Sequence, residues 1–130
     1  MILLDTSAMF ALVAPMDPHH EEAKGLAARL AASREPILVH TYVLCEAFAL
    51  IHRRKGFEAA RAMDAGLRPH TTVTVDRALH DRALAGLQAG GKTRISLVDA
   101  VSFEVMKEWG IETAFAFDAD FEAAGFRLFR

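Results

Sequence analysis

Short apolar runs alternate with longer helical stretches along this chain, and that alternation leaves few architectures open to it. Ile2-Leu3-Leu4 and Ile37-Leu38-Val39 are compact apolar runs, suited to central strands buried on both faces. Thr72-Val73-Thr74-Val75, Thr113 to Phe117 and Phe126 to Phe129 also have strand composition. The intervening segments read as helices. Ala8 to Val13 is closed by Pro15, and His19 to Ala32 carries Ala23, Leu26, Ala27 and Leu30 at helical spacing. Thr41 is a candidate cap for a helix running to about Lys55 and stopped by Gly56, and Phe57 to Gly66 follows. Asp76 opens a helix over about Ala78 to Ala89, which Gly90-Gly91 terminate. Ser96 caps Leu97 to about Trp109, Gly110 stops it, and a helical turn is expected near Phe121. Strands separated by helices imply parallel pairing through crossovers, with helices on both faces of the sheet. The expected fold is a three-layer α/β/α sandwich with a mainly parallel central sheet, and residues 1–130 are expected to form a single domain.

Composition narrows the function classes. The chain is 52% hydrophobic and 25% charged, which is ordinary globular usage and too apolar for disorder. A net charge of -2 excludes a broad basic field, so any nucleic-acid contact has to be local. The lone Cys45 has no internal disulfide partner, which fits a reducing cytoplasm, and it is expected to pack as a small core hydrophobe. No segment reaches the roughly 20 apolar residues of a membrane span, and no basic start precedes the Ala8–Ala14 run, so no membrane association is expected.

Against this plain background, four carboxylates stand out. Asp5 directly follows the first strand, and Asp118 directly follows the strand ending at Phe117. Glu46 lies in the second turn of the helix after Ile37–His40, and Asp99 in the first turn of the helix capped by Ser96. Open parallel sheets bind ligands beyond the carboxyl ends of their strands, and helix starts share that edge, so these acids should converge on one cleft. Asp99 shares a helical stripe with Phe103 and Met106, while Glu46 borders the apolar sector of Val43, Ala47 and Leu50. Both are expected to be semi-buried, where an ionised carboxylate is costly without a compensating cation. Mutual repulsion should raise their pKa values, and a divalent ion would remove the conflict. Oxygen-only ligands favour Mg²⁺ or Mn²⁺ over zinc. Singly, each acid has a plainer role. Asp5 could cap a helix, Asp99 could offset a helix dipole, Asp118 and Asp120 could shape a turn, and Glu46 could pair with Arg53.

The segments LLDTSA at Leu3–Ala8, VLCEAFAL at Val43–Leu50, SLVDAVSF at Ser96–Phe103 and AFDADFEAAGF at Ala116–Phe126, in that order and spacing, resemble the PIN-domain ribonucleases, and specifically the VapC toxins of toxin–antitoxin pairs. The resemblance implies that Asp5, Glu46, Asp99 and Asp118 form an acidic Mg²⁺ or Mn²⁺ site, with Asp120 as a further acid. It implies that Thr6, Ser7 and Ser96 support the site through their hydroxyls. It also implies endonucleolytic hydrolysis of RNA, such as tRNA or rRNA, leaving 5′-phosphate and 3′-hydroxyl ends. A VapB-like antitoxin partner, a homodimer and a cytoplasmic location complete the expectation. A PIN nuclease of RNA maturation or decay, and a PIN-like module that binds RNA or protein without cutting, are the rival readings.

Other motifs carry less. Gly86 to Thr93 satisfies the P-loop pattern, but its glycines fall where a helix should end rather than after a buried strand. Lys92, Arg94 and Arg53 are candidate contacts to RNA phosphates, since an acidic cleft needs nearby positive charge to hold a polyanion. His19 and His20 are adjacent and diverge by about 100° on a helix, so they read as surface residues. The phenylalanines and Trp109 fall mainly at core spacing.

Overall fold

A computed structural model describes residues 1–91 and 94–130. The elements in chain order are β1 (Ile2–Leu4), α1 (Thr6–Val13), α2 (His20–Ser33), β2 (Ile37–His40), α3 (Thr41–Lys55), α4 (Phe57–Leu67), β3 (Thr71–Val73), α5 (Arg77–Gly90), α6 (Leu97–Trp109), β4 (Thr113–Phe115), α7 (Asp120–Ala123) and β5 (Arg127–Leu128). The strands form one five-stranded sheet in the order β3-β2-β1-β4-β5, and each neighbouring pair is parallel. The expected three-layer α/β/α arrangement is therefore present.

Alternation along the strands builds the layers. Ile2 and Leu4 of β1, Val39 of β2 and Phe115 of β4 face the helices α1 to α4, with Ala8, Met9, Leu26, Leu30, Val43 and Ala47. Leu3, Leu38 and Ala114 face the other way, onto Leu79, Val101, Val105, Met106 and Phe121 from α5 to α7. The register sets Leu3 beside Ala114 and Leu4 beside Phe115, so each face stays continuous across the sheet. Burying a Leu, Val or Phe side chain contributes about 1.5–3 kcal/mol, which makes β1 the anchor of both cores.

Most helix ends follow their local chemistry. Asp76 and Ser96 accept N–H bonds from Leu79 and Asp99 at 2.8 and 3.0 Å. Gly110 closes α6 with φ of 64°, a conformation in which a Cβ would be strained. The α3 cap differs from expectation. His40, not Thr41, accepts the Val43 N–H through Nδ1 at 3.3 Å. The Thr41 hydroxyl instead accepts the Val75 N–H at 2.9 Å, which takes Val75 out of the sheet ladder and ends β3 early. Strand β4 likewise stops at Phe115, because the Phe117 N–H is engaged by Ser7 Oγ at 2.9 Å. Asp118 thus lies three residues beyond its strand rather than directly after it.

Burial corrects three further expectations. Cys45 and Glu46 are exposed on α3 rather than packed, and Trp109 keeps 47% exposure in the last turn of α6. Gly86 and Gly90 lie within α5, as the helical reading of the P-loop pattern required. Lys92 and Thr93 of that pattern lie outside the described residues. Among the described residues, no helix is long and apolar enough to cross a membrane.

Candidate metal centre

The chain runs outward from β1 through β2 to β3, then returns to β4 on the other side of β1. This reversal opens a crevice at the carboxyl ends of β1 and β4, the place where parallel sheets bind ligands. Asp5 occupies the β1 end. Its N–H continues the ladder to Phe115 O at 3.0 Å, and its side chain caps α1. Asp5 Oδ2 accepts from the Ser7 N–H at 2.9 Å and from the Ser7 hydroxyl at 2.5 Å. The side chain is almost sealed, with the residue 4% exposed. Burial pushes the Asp5 carboxyl above its usual range, the Ser7 bonds oppose that, and the Glu46 charge adds to it.

Asp99 faces the same crevice from the first turn of α6. Its carboxyl is pushed up to about 7, first by burial and then by the charges of Asp5 and Asp118, with Glu46 adding and the Ser96 hydrogen bond opposing. On the β4 side, Asp118 Oδ1 accepts the Asp120 N–H at 2.9 Å, so the two acids of the β4–α7 connection are fixed together. One carboxylate oxygen from each of Asp99, Asp118 and Asp120 lies within 4.8 Å of the others. Asp5 and Glu46 join this triangle through their charges rather than as members of it. Asp120, expected as an accessory acid, is thus one of the three that meet most closely.

Unit charges roughly 4–5 Å apart repel by about 3–4 kcal/mol at an effective dielectric of about 20. A divalent cation converts that repulsion into attraction. An ion held at about 2.1 Å keeps its oxygen ligands about 3 to 4 Å apart, so the triangle needs only a small contraction to take one. The donor set is oxygen only, as hard divalent ions require. Thr6 Oγ1, next to Asp5 in the chain, is buried without a hydrogen-bond partner among the described residues. An unpaired buried hydroxyl costs about 1–3 kcal/mol. The residues fit a divalent metal.

The other expected residues are dispersed. Ser7 is bonded to Asp5, and Ser96 acts through the Asp99 N–H. Arg94 is exposed before α6, and Arg53 is exposed seven residues beyond Glu46, about 10 Å further along α3. Lys92 lies outside the described residues. Two features escaped the sequence reading. His40 is fully buried at the end of β2, with Nε2 2.8 Å from Ser102 Oγ on α6. Because its Nδ1 accepts the Val43 N–H, Nε2 carries the proton and donates to Ser102, tying the start of α3 to the helix of Asp99. Burial pulls the imidazole down to about 4. His19 is exposed, as expected of a surface residue, but its ring also stacks on Phe117. No spacing in the sequence signals either.

Comparison with known proteins places the chain in a family. Residues 2–127 match the PIN domain family. The 23S rRNA-specific endonuclease VapC20 of two Mycobacterium tuberculosis strains is 42% identical over 130 residues, covering 97% of this chain and 95% of the relative. The crystal structure of Mycobacterium tuberculosis VapC20, a Sarcin-Ricin loop cleaving toxin, matches with a TM-score of 0.84 at 38% identity, covering 97% of this chain and 96% of that one. Over nearly its whole length, therefore, the chain belongs to the PIN-domain family, in its VapC toxin branch.

Proposed function

We propose that this chain is a Mg²⁺- or Mn²⁺-dependent endoribonuclease, the toxin of a VapBC-type pair, and that it cuts ribosomal RNA. The observation that carries the reading is the meeting of Asp99, Asp118 and Asp120 at the crevice where the charges of Asp5 and Glu46 also act. The 23S rRNA specificity of VapC20 makes the large ribosomal RNA, and its sarcin-ricin loop, the first substrate to test.

In this mechanism Asp99, Asp118 and Asp120 would hold the ion, and the two Ser7 bonds fix the carboxylate of Asp5, whose charge acts on Asp99. When bound, the ion supplies the Lewis acidity that activates water and offsets charge growing on the phosphate. Ser96 caps α6 through the Asp99 N–H and so fixes the first turn that carries Asp99. Glu46, exposed on α3, adds negative charge where solvent has access. Water adds to phosphorus as the P–O3′ bond breaks and the departing oxygen takes up a proton, leaving 5′-phosphate and 3′-hydroxyl ends. Arg94 is assigned to a flanking phosphate, with Arg53 and Lys92 as further contacts. A small VapB-like antitoxin, a homodimer and a cytoplasmic setting belong to the same reading.

The test is cleavage of intact large-subunit rRNA and of a sarcin-ricin-loop hairpin, in Mg²⁺, in Mn²⁺ and in EDTA. The wild-type chain should cut only with metal, and Asp5→Asn and Asp99→Asn should abolish cutting. Equal cleavage by these variants would overturn the assignment of the site.

A further inference from the structure

The strip Ala116–Asp118 is gripped from two sides by groups remote in sequence. On one side the Phe117 ring stacks on His19, with centroids 4.4 Å apart and planes inclined by 12°. The Arg130 guanidinium lies over the same ring at 4.8 Å from its centroid. Glu22 joins the two clasping groups, 3.8 Å from His19 Nδ1 and 3.5 Å from Arg130 Nε. Arg130 Nη2 also donates to the Ala116 carbonyl at 3.1 Å. On the other side the Phe117 N–H donates to Ser7 Oγ at 2.9 Å, and the Ser7 hydroxyl donates to Asp5 Oδ2 at 2.5 Å.

Hydrophobic packing alone does not account for this arrangement. Phe117 is only partly buried, at the margin of the cluster that contains Phe115, whereas His19 and Arg130 are exposed. A stacked ring and a cation over a ring fix orientation, which an aliphatic filler of the same volume would not. What they orient is the connection between β4 and α7. Asp118 is the next residue, and its Oδ1 holds the Asp120 N–H, so both carboxylates follow the placement of residue 117. Asp99 belongs to α6 on the opposite wall. The separation of the two walls therefore depends on where the 116–118 strip is held, and small hard cations tolerate little error in that separation.

We propose that Phe117 is a positioning residue of the metal centre. The His19–Phe117–Arg130 clasp on one side and the Ser7–Asp5 relay on the other set Asp118 and Asp120 at the spacing from Asp99 that a divalent cation needs. The inference rests on the metal-centre reading above and adds to it the element that tunes the site.

The experiment measures Mn²⁺ binding to the full chain by electron paramagnetic resonance and calorimetry, for the wild type, Phe117→Leu, Phe117→Tyr and the double variant His19→Ala/Arg130→Ala. Phe117→Leu and the double variant should bind Mn²⁺ about 10–100-fold more weakly, the range for lost partners of metal ligands, while Phe117→Tyr restores binding. In RNA cleavage the Mn²⁺ concentration for half-maximal rate should rise in step, with kcat at saturating Mn²⁺ largely kept. The double variant alters only exposed side chains, so it keeps the test open where Phe117→Leu folds poorly. Affinities within twofold of wild type for the folded variants would overturn the proposal. Failure of the wild-type chain itself to bind Mn²⁺ would instead overturn the underlying metal-centre reading.

Discussion

Replacing Asp99 by Asn should stabilise the protein in the absence of metal, although it removes a residue of the site. The Asp99 carboxyl is pushed up to about 7 from 3.8, by burial first and then by the charges of Asp5 and Asp118. Below pH 4 the group is protonated in both folded and unfolded chains and costs nothing. Between pH 4 and 7 the unfolded chain ionises while the folded one does not, so stability falls as pH rises. Above pH 7 both are ionised, and the folded state carries the whole penalty. A shift of about 3 units corresponds to a ceiling of about 4 kcal/mol. The crevice is partly open to water and counter-ions, which reduces this to about 2 kcal/mol. For a chain of this size, that is a rise of about 6–10 °C in Tm.

Thermal unfolding followed by circular dichroism, in EDTA at pH 8 and at pH 4.5, tests the sign directly. Asp99→Asn should melt above the wild type at pH 8, and the gap should shrink several-fold at pH 4.5. Mn²⁺ should reverse the order. A ligand at a hundred times its Kd stabilises the chain that binds it by about 2.7 kcal/mol, and the Asn variant has lost a carboxylate from the triangle. An Asn variant less stable than wild type in EDTA at pH 8, or a gap insensitive to pH, would refute the account of Asp99 as a strained charge.

His40 should titrate with the opposite sign: its folded pKa lies at about 4 against 6.5, so the stability it contributes is present above pH 6.5 and is lost as pH falls towards 4. His40→Ala should cost about 2–4 kcal/mol in urea unfolding at pH 8, through the lost α3 cap, the freed Ser102 bond and a cavity, and a cost below about 1 kcal/mol would contradict the link between α3 and α6. Arg94→Gln should weaken RNA binding and flatten the slope of log K against log salt by about 0.7–0.9, the contribution of one phosphate contact; an unchanged slope removes Arg94 from the interface. Asp120→Asn should reduce Mn²⁺ affinity as severely as Asp118→Asn, and calorimetry showing affinity within twofold of wild type would return Asp120 to the role of a turn residue.

What the sequence disclosed, and what it hid, divides by the range of the interactions involved. Ser96, Asp76 and Gly110 mark helix ends by contacts within a few residues, so those boundaries were legible. Strand ends were not. Residues up to Phe117 have strand composition, but β4 stops at Phe115 because the Phe117 N–H is taken by a hydroxyl 110 positions away. His40 resembles any histidine after a strand until Ser102, 62 positions on, supplies its second partner. Cys45 and Glu46 were misplaced because one apolar stripe on α3, through Val43, Ala47 and Ile51, is already enough to bury it, which leaves their face to solvent. The acids stood between these cases. Each was visible for a local reason, as a cap or a turn residue, and the strand-end rule predicted their convergence. That rule works because the chain reverses between β1 and β4, and it selects an edge rather than a geometry. The geometry depends on contacts such as Ser7 to Phe117 and Arg130 to Ala116, which no spacing encodes. Asp120 follows from this difference. By position it is one residue too far along the turn, but its N–H is held by Asp118, and the hold on residue 117 brings both carboxylates to Asp99.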